Sequence, residues 1–164
     1  MIEEIREGRY MSIDIKTTGL EIANDRITEI CIVIRRKQKY EIEDEHKSWH
    51  IKSSISTKQC FLEFSNYIQG QMSGGIKLIL FDAPLVLGFL NAELILYNLP
   101  CIQDGDVAVV DLRMLDAKLD KHRVALTVEE LAQKHCVEYF DLGRFDTTSA
   151  VIILDIFDQI QQLF

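Results

Sequence analysis

Asp14 and Lys16 have the clearest chemical potential in this chain, because they stand two apart in a segment that alternates like a strand. From Tyr10 to Lys16, the apolar Met11, Ile13 and Ile15 interleave with Ser12, Asp14 and Lys16. A strand repeats its side-chain direction every two residues, so Asp14 and Lys16 project from one face. Two acids in those places would begin a divalent-metal site, since hard cations such as Mg2+ take oxygen ligands. An ammonium in the second place repels a metal and pairs with the carboxylate. The same pattern also describes an ordinary sheet surface with an Asp–Lys pair, worth about 0–1 kcal/mol.

The elements that must position these residues can be read from periodicity. Strands are predicted at Tyr10 to Lys16, at Arg26 to Ile34, and around Lys47 to Lys52, where Trp49 and Ile51 alternate with His50 and Lys52. Short connections suit antiparallel hairpins. A helix follows, with Phe61, Phe64, Tyr67 and Ile68 on one stripe. A strand from Ile76 to Phe81 leads to a helix from about Pro84 to Asn98, ended by Pro100. Val107 to Val110 has the short apolar form of a buried parallel strand. Helices from Leu112 and from Thr127 come next, the latter with a Thr127/Glu130 capping box. The last helix starts near Thr147 and turns Ile152, Ile153, Ile156, Phe157 and Ile160 to the core.

One domain spanning residues 1–164 is expected from this length. The net charge of −8 argues against a broad phosphate-binding surface and so against affinity for long nucleic acid, though not against a local groove. The basic run Arg35-Arg36-Lys37-Gln38-Lys39 is a candidate groove, but Glu41, Glu43, Asp44 and Glu45 follow at once. It reads better as a solvated hairpin turn. Cys31, Cys60, Cys101 and Cys136 form no Cys-x-x-Cys pair, so neither zinc nor a redox motif is indicated, and Cys31 reads as a small core residue. Free thiols and the lack of a signal peptide or a membrane span of about 20 residues fit a cytoplasmic protein. His46, His50, His122 and His135 show no ligand spacing, and His135 reads as structural.

Asp14-Ile15-Lys16-Thr17-Thr18-Gly19 resembles the first motif, Asp-x-Glu-Thr-Thr-Gly, of the DnaQ-like (DEDDh) 3′–5′ exonucleases. This family includes the proofreading epsilon subunit of bacterial DNA polymerase III. The segment from Gly75 to Leu94 resembles the second motif without a gap, where the family reads His-Asn-Ala-x-Phe-Asp and then Leu-Gly-Phe-Leu-x-x-Glu-Leu. Glu63 to Gly70 is similar to the family's preceding helix. The resemblance covers nearly the whole chain and implies a ribonuclease-H-like α/β fold, a mixed five-stranded sheet flanked by helices.

Carried over residue by residue, the resemblance implies a degenerate site. Lys16 stands at the family's Glu, Val86 at the second-motif Asp, Arg144 at the third-motif His and Ser149 at the last Asp; only Asp14 is kept. The family's His-Gly-Ile loop also has no counterpart in the short gap around Ser53 to Thr57. Two-metal phosphodiester cleavage needs carboxylates that hold both cations about 4 Å apart. The family's general base is worth roughly 10²–10⁴ in rate, and arginine cannot replace it because it stays protonated.

Three readings follow. In the first, the chain is a catalytically inactive exonuclease-fold protein, a scaffold or regulatory subunit in replication, repair or a CRISPR-type assembly. It would need no cofactor, and its partner would be a polymerase or another nucleic-acid-processing subunit. In the second, Asp14, Asp82 and Asp146 form a relocated site for Mg2+ or Mn2+ and cleavage persists. Against that, Asp82 and Asp146 both have the sequence context of helix caps. In the third, Lys16 and Arg144 hold a phosphate where metals once sat. The inactive readings also lead to the expectation that Lys16 or Arg144 pairs with Asp14.

Overall fold

The computed structural model describes residues 8–51, 57–103, 105–121, 125, 127–138 and 148–163. Ten elements run in the order β1 (Gly8–Thr17), β2 (Ile27–Gln38), β3 (Glu41–His50), α1 (Thr57–Ser73), β4 (Lys77–Leu80), α2 (Ala83–Leu96), β5 (Ala108–Asp111), α3 (Leu112–Leu119), α4 (Val128–Lys134) and α5 (Thr148–Gln161). The strands form a single mixed sheet in the order β3-β2-β1-β4-β5. The first three pair antiparallel, whereas β1–β4 and β4–β5 are parallel. This is the expected mixed five-stranded sheet.

Alternation in β1 and β2 divides the core into two layers. Met11, Ile13, Ile30, Ile32 and Ile34 face α1 and α2, where Phe61, Phe64, Phe89 and Leu90 are buried with them. Tyr10, Val33 and Ile79 face the other way, onto α4 and α5, against Leu131, Ile153 and Phe157. All five residues expected on the inner face of α5 are buried. Gly88 lets α2 meet the loop after β1: a Cβ there would stand 2.5 Å from Ile22 Cδ1.

Two readings of the sequence need correction. The third strand begins at Glu41 instead of near Lys47, so β2 and β3 form a long hairpin whose turn is Lys39-Tyr40. The basic run is therefore mostly strand, and Arg35 and Lys37 are buried where solvated side chains were expected. The cause is a set of acids distant in sequence. Arg35 makes a bidentate pair with Asp44 at 2.9 Å and meets Asp158 at 2.9 Å and Asp155 at 2.7 Å, while Lys37 also bonds Asp158. Acids on α5 and β3 thus neutralise two buried cations, which Coulomb attraction favours strongly once water is removed. The exposed acids of β3 fit its place at the sheet edge, where charge discourages further pairing.

Candidate functional site

The face of β1 that carries Asp14 and Lys16 is held by its neighbours on β2. Register places Asp14 opposite Cys31 and Lys16 opposite Glu29, so all four side chains share one side of the sheet. Ser12, two residues back on the same face, is fully buried and donates to the Ala150 carbonyl at 2.7 Å. That bond fixes the first turn of α5 against β1 and brings Ser149, half-buried, to this end of the sheet. A bulge between Lys16 and Thr17 ends the regular pairing and turns the chain into the loop.

Glu29 is the residue that the sequence reading missed. It is 1% exposed, its Oε1 accepts the Cys31 thiol at 3.1 Å, and its Oε2 stands 3.5 Å from Lys16 Nζ. Lys16 thus has an ion pair to Glu29, across the strand pair; of the two partners expected for Asp14, Lys16 and Arg144, the second lies outside the described residues. Lys16 still acts on Asp14 through space. Burial, opposed by Lys16 and reinforced by Glu29 and Glu129, raises the Asp14 carboxyl to about 6. Desolvation, together with the bond to Glu29, also pushes the Cys31 thiol up, so this thiol is poorly suited to act as a nucleophile. A single charged residue inside the apolar Ile27–Ile34 run was the signal that could have identified Glu29.

The other site positions that the structure describes have packing or capping partners of their own. Val86 is buried in the α1/α2 core. Asp82 has φ of 59°, caps α2 by accepting from Leu85 N at 3.4 Å, and pairs with Arg113 at 3.1 Å. Asp111 binds the same corner, accepting from Ala83 N at 3.0 Å and Arg113 N at 3.0 Å. The cap expected for Asp82 is therefore present, and its remaining oxygen is committed to a cation. Arg144 and Asp146 lie outside the described residues. His135 ends α4 and meets the buried Asp116 at 3.1 Å, with Lys134 on the other Asp116 oxygen at 2.9 Å, so its ring nitrogen is engaged in tying α4 to α3. The second motif's Glu93 also serves the fold, in a bidentate pair with Arg26 at 2.5 and 2.7 Å.

The described residues do not by themselves supply the donors of a two-metal centre. Among the described residues no three His, Cys, Asp or Glu side chains converge as metal ligands. What does converge is a carboxyl pair, Asp14 and Glu29, with one ammonium beside it.

The raised Asp14 carboxyl gives a pH prediction. The folded state holds this proton up to about pH 6, whereas the unfolded chain releases it near 3.8. Its contribution to stability is therefore full below about pH 4 and is lost as pH rises through about 6. Because Asp14 retains some solvent contact, we expect a loss of about 1–3 kcal/mol. Asp14→Asn should be more stable than wild type at alkaline pH and show a flatter dependence in urea melts across this range. Parallel curves for the two proteins would refute the assignment.

No family model matches the sequence, and no characterised protein matches it by sequence. Solved structures do. The nuclease domain of 3'hExo, a DEDDh family member bound to rAMP, superposes with a TM-score of 0.72 at 16% identity, over 97% of this chain and 94% of that one. Product-bound exonuclease I gives 0.70 at 10% identity, over 96% of this chain. E. coli exonuclease I in complex with a 5cy-dA13 oligonucleotide gives 0.66 at 9% identity, over 95% of this chain. The chain spans 44% and 41% of those two exonuclease I chains. Strand order, helix placement and these superpositions agree that the chain has the DnaQ-like (DEDDh) exonuclease fold.

Proposed function

We propose that this exonuclease-fold module does not cleave and acts as a scaffold or regulatory subunit in nucleic-acid processing, cytoplasmic and independent of any metal or cofactor. The observation that carries the reading is the Lys16 ammonium set 3.5 Å from Glu29 on the face where the family places its metal-binding acids. A side-chain cation there offsets carboxylate charge as a metal would, but it offers no Lewis acid and cannot activate water. Val86, buried among apolar side chains, has no oxygen to contribute. The relocated-site reading is disfavoured because Asp82 is already held by Arg113 and by its capping bond. The phosphate-binding reading keeps one support, the half-exposed Lys16, but buried Glu29 beside it opposes an anion. In all, a protein partner such as a polymerase or another processing subunit suits the module better than nucleic acid alone.

The test is a nuclease assay on 5′-labelled single-stranded DNA and RNA with Mg2+ or Mn2+. The expected outcome is no shortening beyond a control without protein. Degradation that disappears in Asp82→Ala would overturn the proposal in favour of the relocated site. Degradation lost only in Asp14→Ala would overturn it through a site built around Asp14.

A further inference from the structure

We propose that the outer face of α2 is a docking surface for an amphipathic helix of a partner protein, apolar along one stripe and basic on its flanks. Glu93 is the single charged residue in the 14 of α2, and it is buried against Arg26. A helix so poor in charge belongs in a core or against another protein. Yet Ile95 is 63% exposed and Leu96 is 58% exposed. Two depressions flank the helix. One, of about 620 Å³, is lined by Pro84, Leu87 and Met114 among others. The other, of about 250 Å³, has Ile22, Ala92 and Leu96 in its wall. Gly88 lies under Ile22 and also lines the first depression, so the apolar surface continues from the β1–β2 loop across α2 to α3. Monomers seldom leave so continuous an apolar surface to water.

Charge selects the occupant. Asp25 and Glu21 share the turn at one rim, and Asp111 stands at the other. None of the three carboxylates has an ion-pair partner among the described residues, while the neighbouring cations Arg26 and Arg113 are already held by Glu93 and Asp82. A second copy of a chain of net charge −8 would bring like charges to this rim. A helix with apolar anchors spaced by three and four residues, and Lys or Arg beside them, complements both features. With 14 residues, α2 offers a ridge roughly 21 Å long, enough for such a helix to lie along. This surface is on the opposite side of the sheet from Asp14, so the inference does not depend on whether the cleft cleaves.

The probe is a synthetic Leu/Lys peptide of about 18 residues with Leu at helical spacing, and its Leu/Glu counterpart is the control. Binding is read by fluorescence anisotropy at about 0.15 M salt, where non-specific charge attraction is screened. The expected result has two parts. The Leu/Lys peptide binds at least about tenfold more tightly than the Leu/Glu peptide, and Ile95→Gln with Leu96→Gln weakens it by about tenfold or more. That double change alters no charge, and a melting curve checks its fold. Unchanged binding to the double variant would reduce the effect to bulk charge and overturn the proposal. So would wild-type self-association, seen by sedimentation and abolished in the double variant, which would identify a second copy as the occupant.

Discussion

Lys16→Glu should destabilise the metal-free protein and make it responsive to Mn2+. The change removes the cation beside the buried Glu29 and adds a third carboxylate to the Asp14 face. Since Lys16 is half-exposed and Glu29 is not, the cost should fall between surface-pair and buried-pair values, about 2–4 kcal/mol. The three acids would then have the composition of a divalent-cation site. At a Mn2+ concentration of about 100 times the dissociation constant, binding would return roughly 2.7 kcal/mol. For a domain of this size that is a rise of about 5–10 °C in Tm. Thermal melts with and without Mn2+ measure it. A variant that melts like wild type and ignores Mn2+ would mean that Lys16 is an indifferent surface residue.

Arg35→Met should cost about as much or more, through a different mechanism. Arg35 is 5% exposed and meets three carboxylates, those of Asp44, Asp155 and Asp158. Among the described residues, removing it leaves Lys37 as the one close cation for Asp158 and strands Asp44 next to it in the hairpin. Breaking a buried pair from one side typically costs 3–5 kcal/mol, so a loss of about that size is expected in urea unfolding. Arg36→Met is the internal control. Arg36 is half-exposed and 3.8 Å from an exposed Glu45, so its replacement should change stability by about 0–1 kcal/mol. Equal effects from the two substitutions would show that the network under α5 does not hold the hairpin to the helix.

These two sites also mark where sequence reasoning succeeded and where it stopped. The alternation of Met11, Ile13 and Ile15 determined the face of Asp14 and Lys16, because strand geometry is local and its period is two. The capping roles of Asp82 and Thr127 were legible for a similar reason: each cap acts on a backbone N–H three residues away. Arg35 and Lys37 were misread because their partners Asp155 and Asp158 lie some 120 residues further on, and only the packing of α5 on β2 brings them together. Glu29 was missed for the same physical reason. Its function depends on cross-strand register with Lys16, which neither segment contains alone.

The ordered motif remnants led to the right fold because each still performs a packing task. Glu93 anchors Arg26, Gly88 admits Ile22, and Asn91 ties Ile102 through a pair of bonds at 2.8 and 3.0 Å. Those duties do not depend on the carboxylates of the site. The chemistry is a separate matter, decided by few side chains, and in the function proposed above the decisive one is Lys16.

That Lys16 stands where a metal would is tested most directly by calorimetric titration of Mn2+ into the wild-type chain at neutral pH. The expected result is no saturable binding below the millimolar range, and the same featureless titration for Asp14→Ala. Stoichiometric micromolar binding that is lost in Asp14→Ala would contradict it, since a cation would then be displacing the ammonium from its own carboxylates.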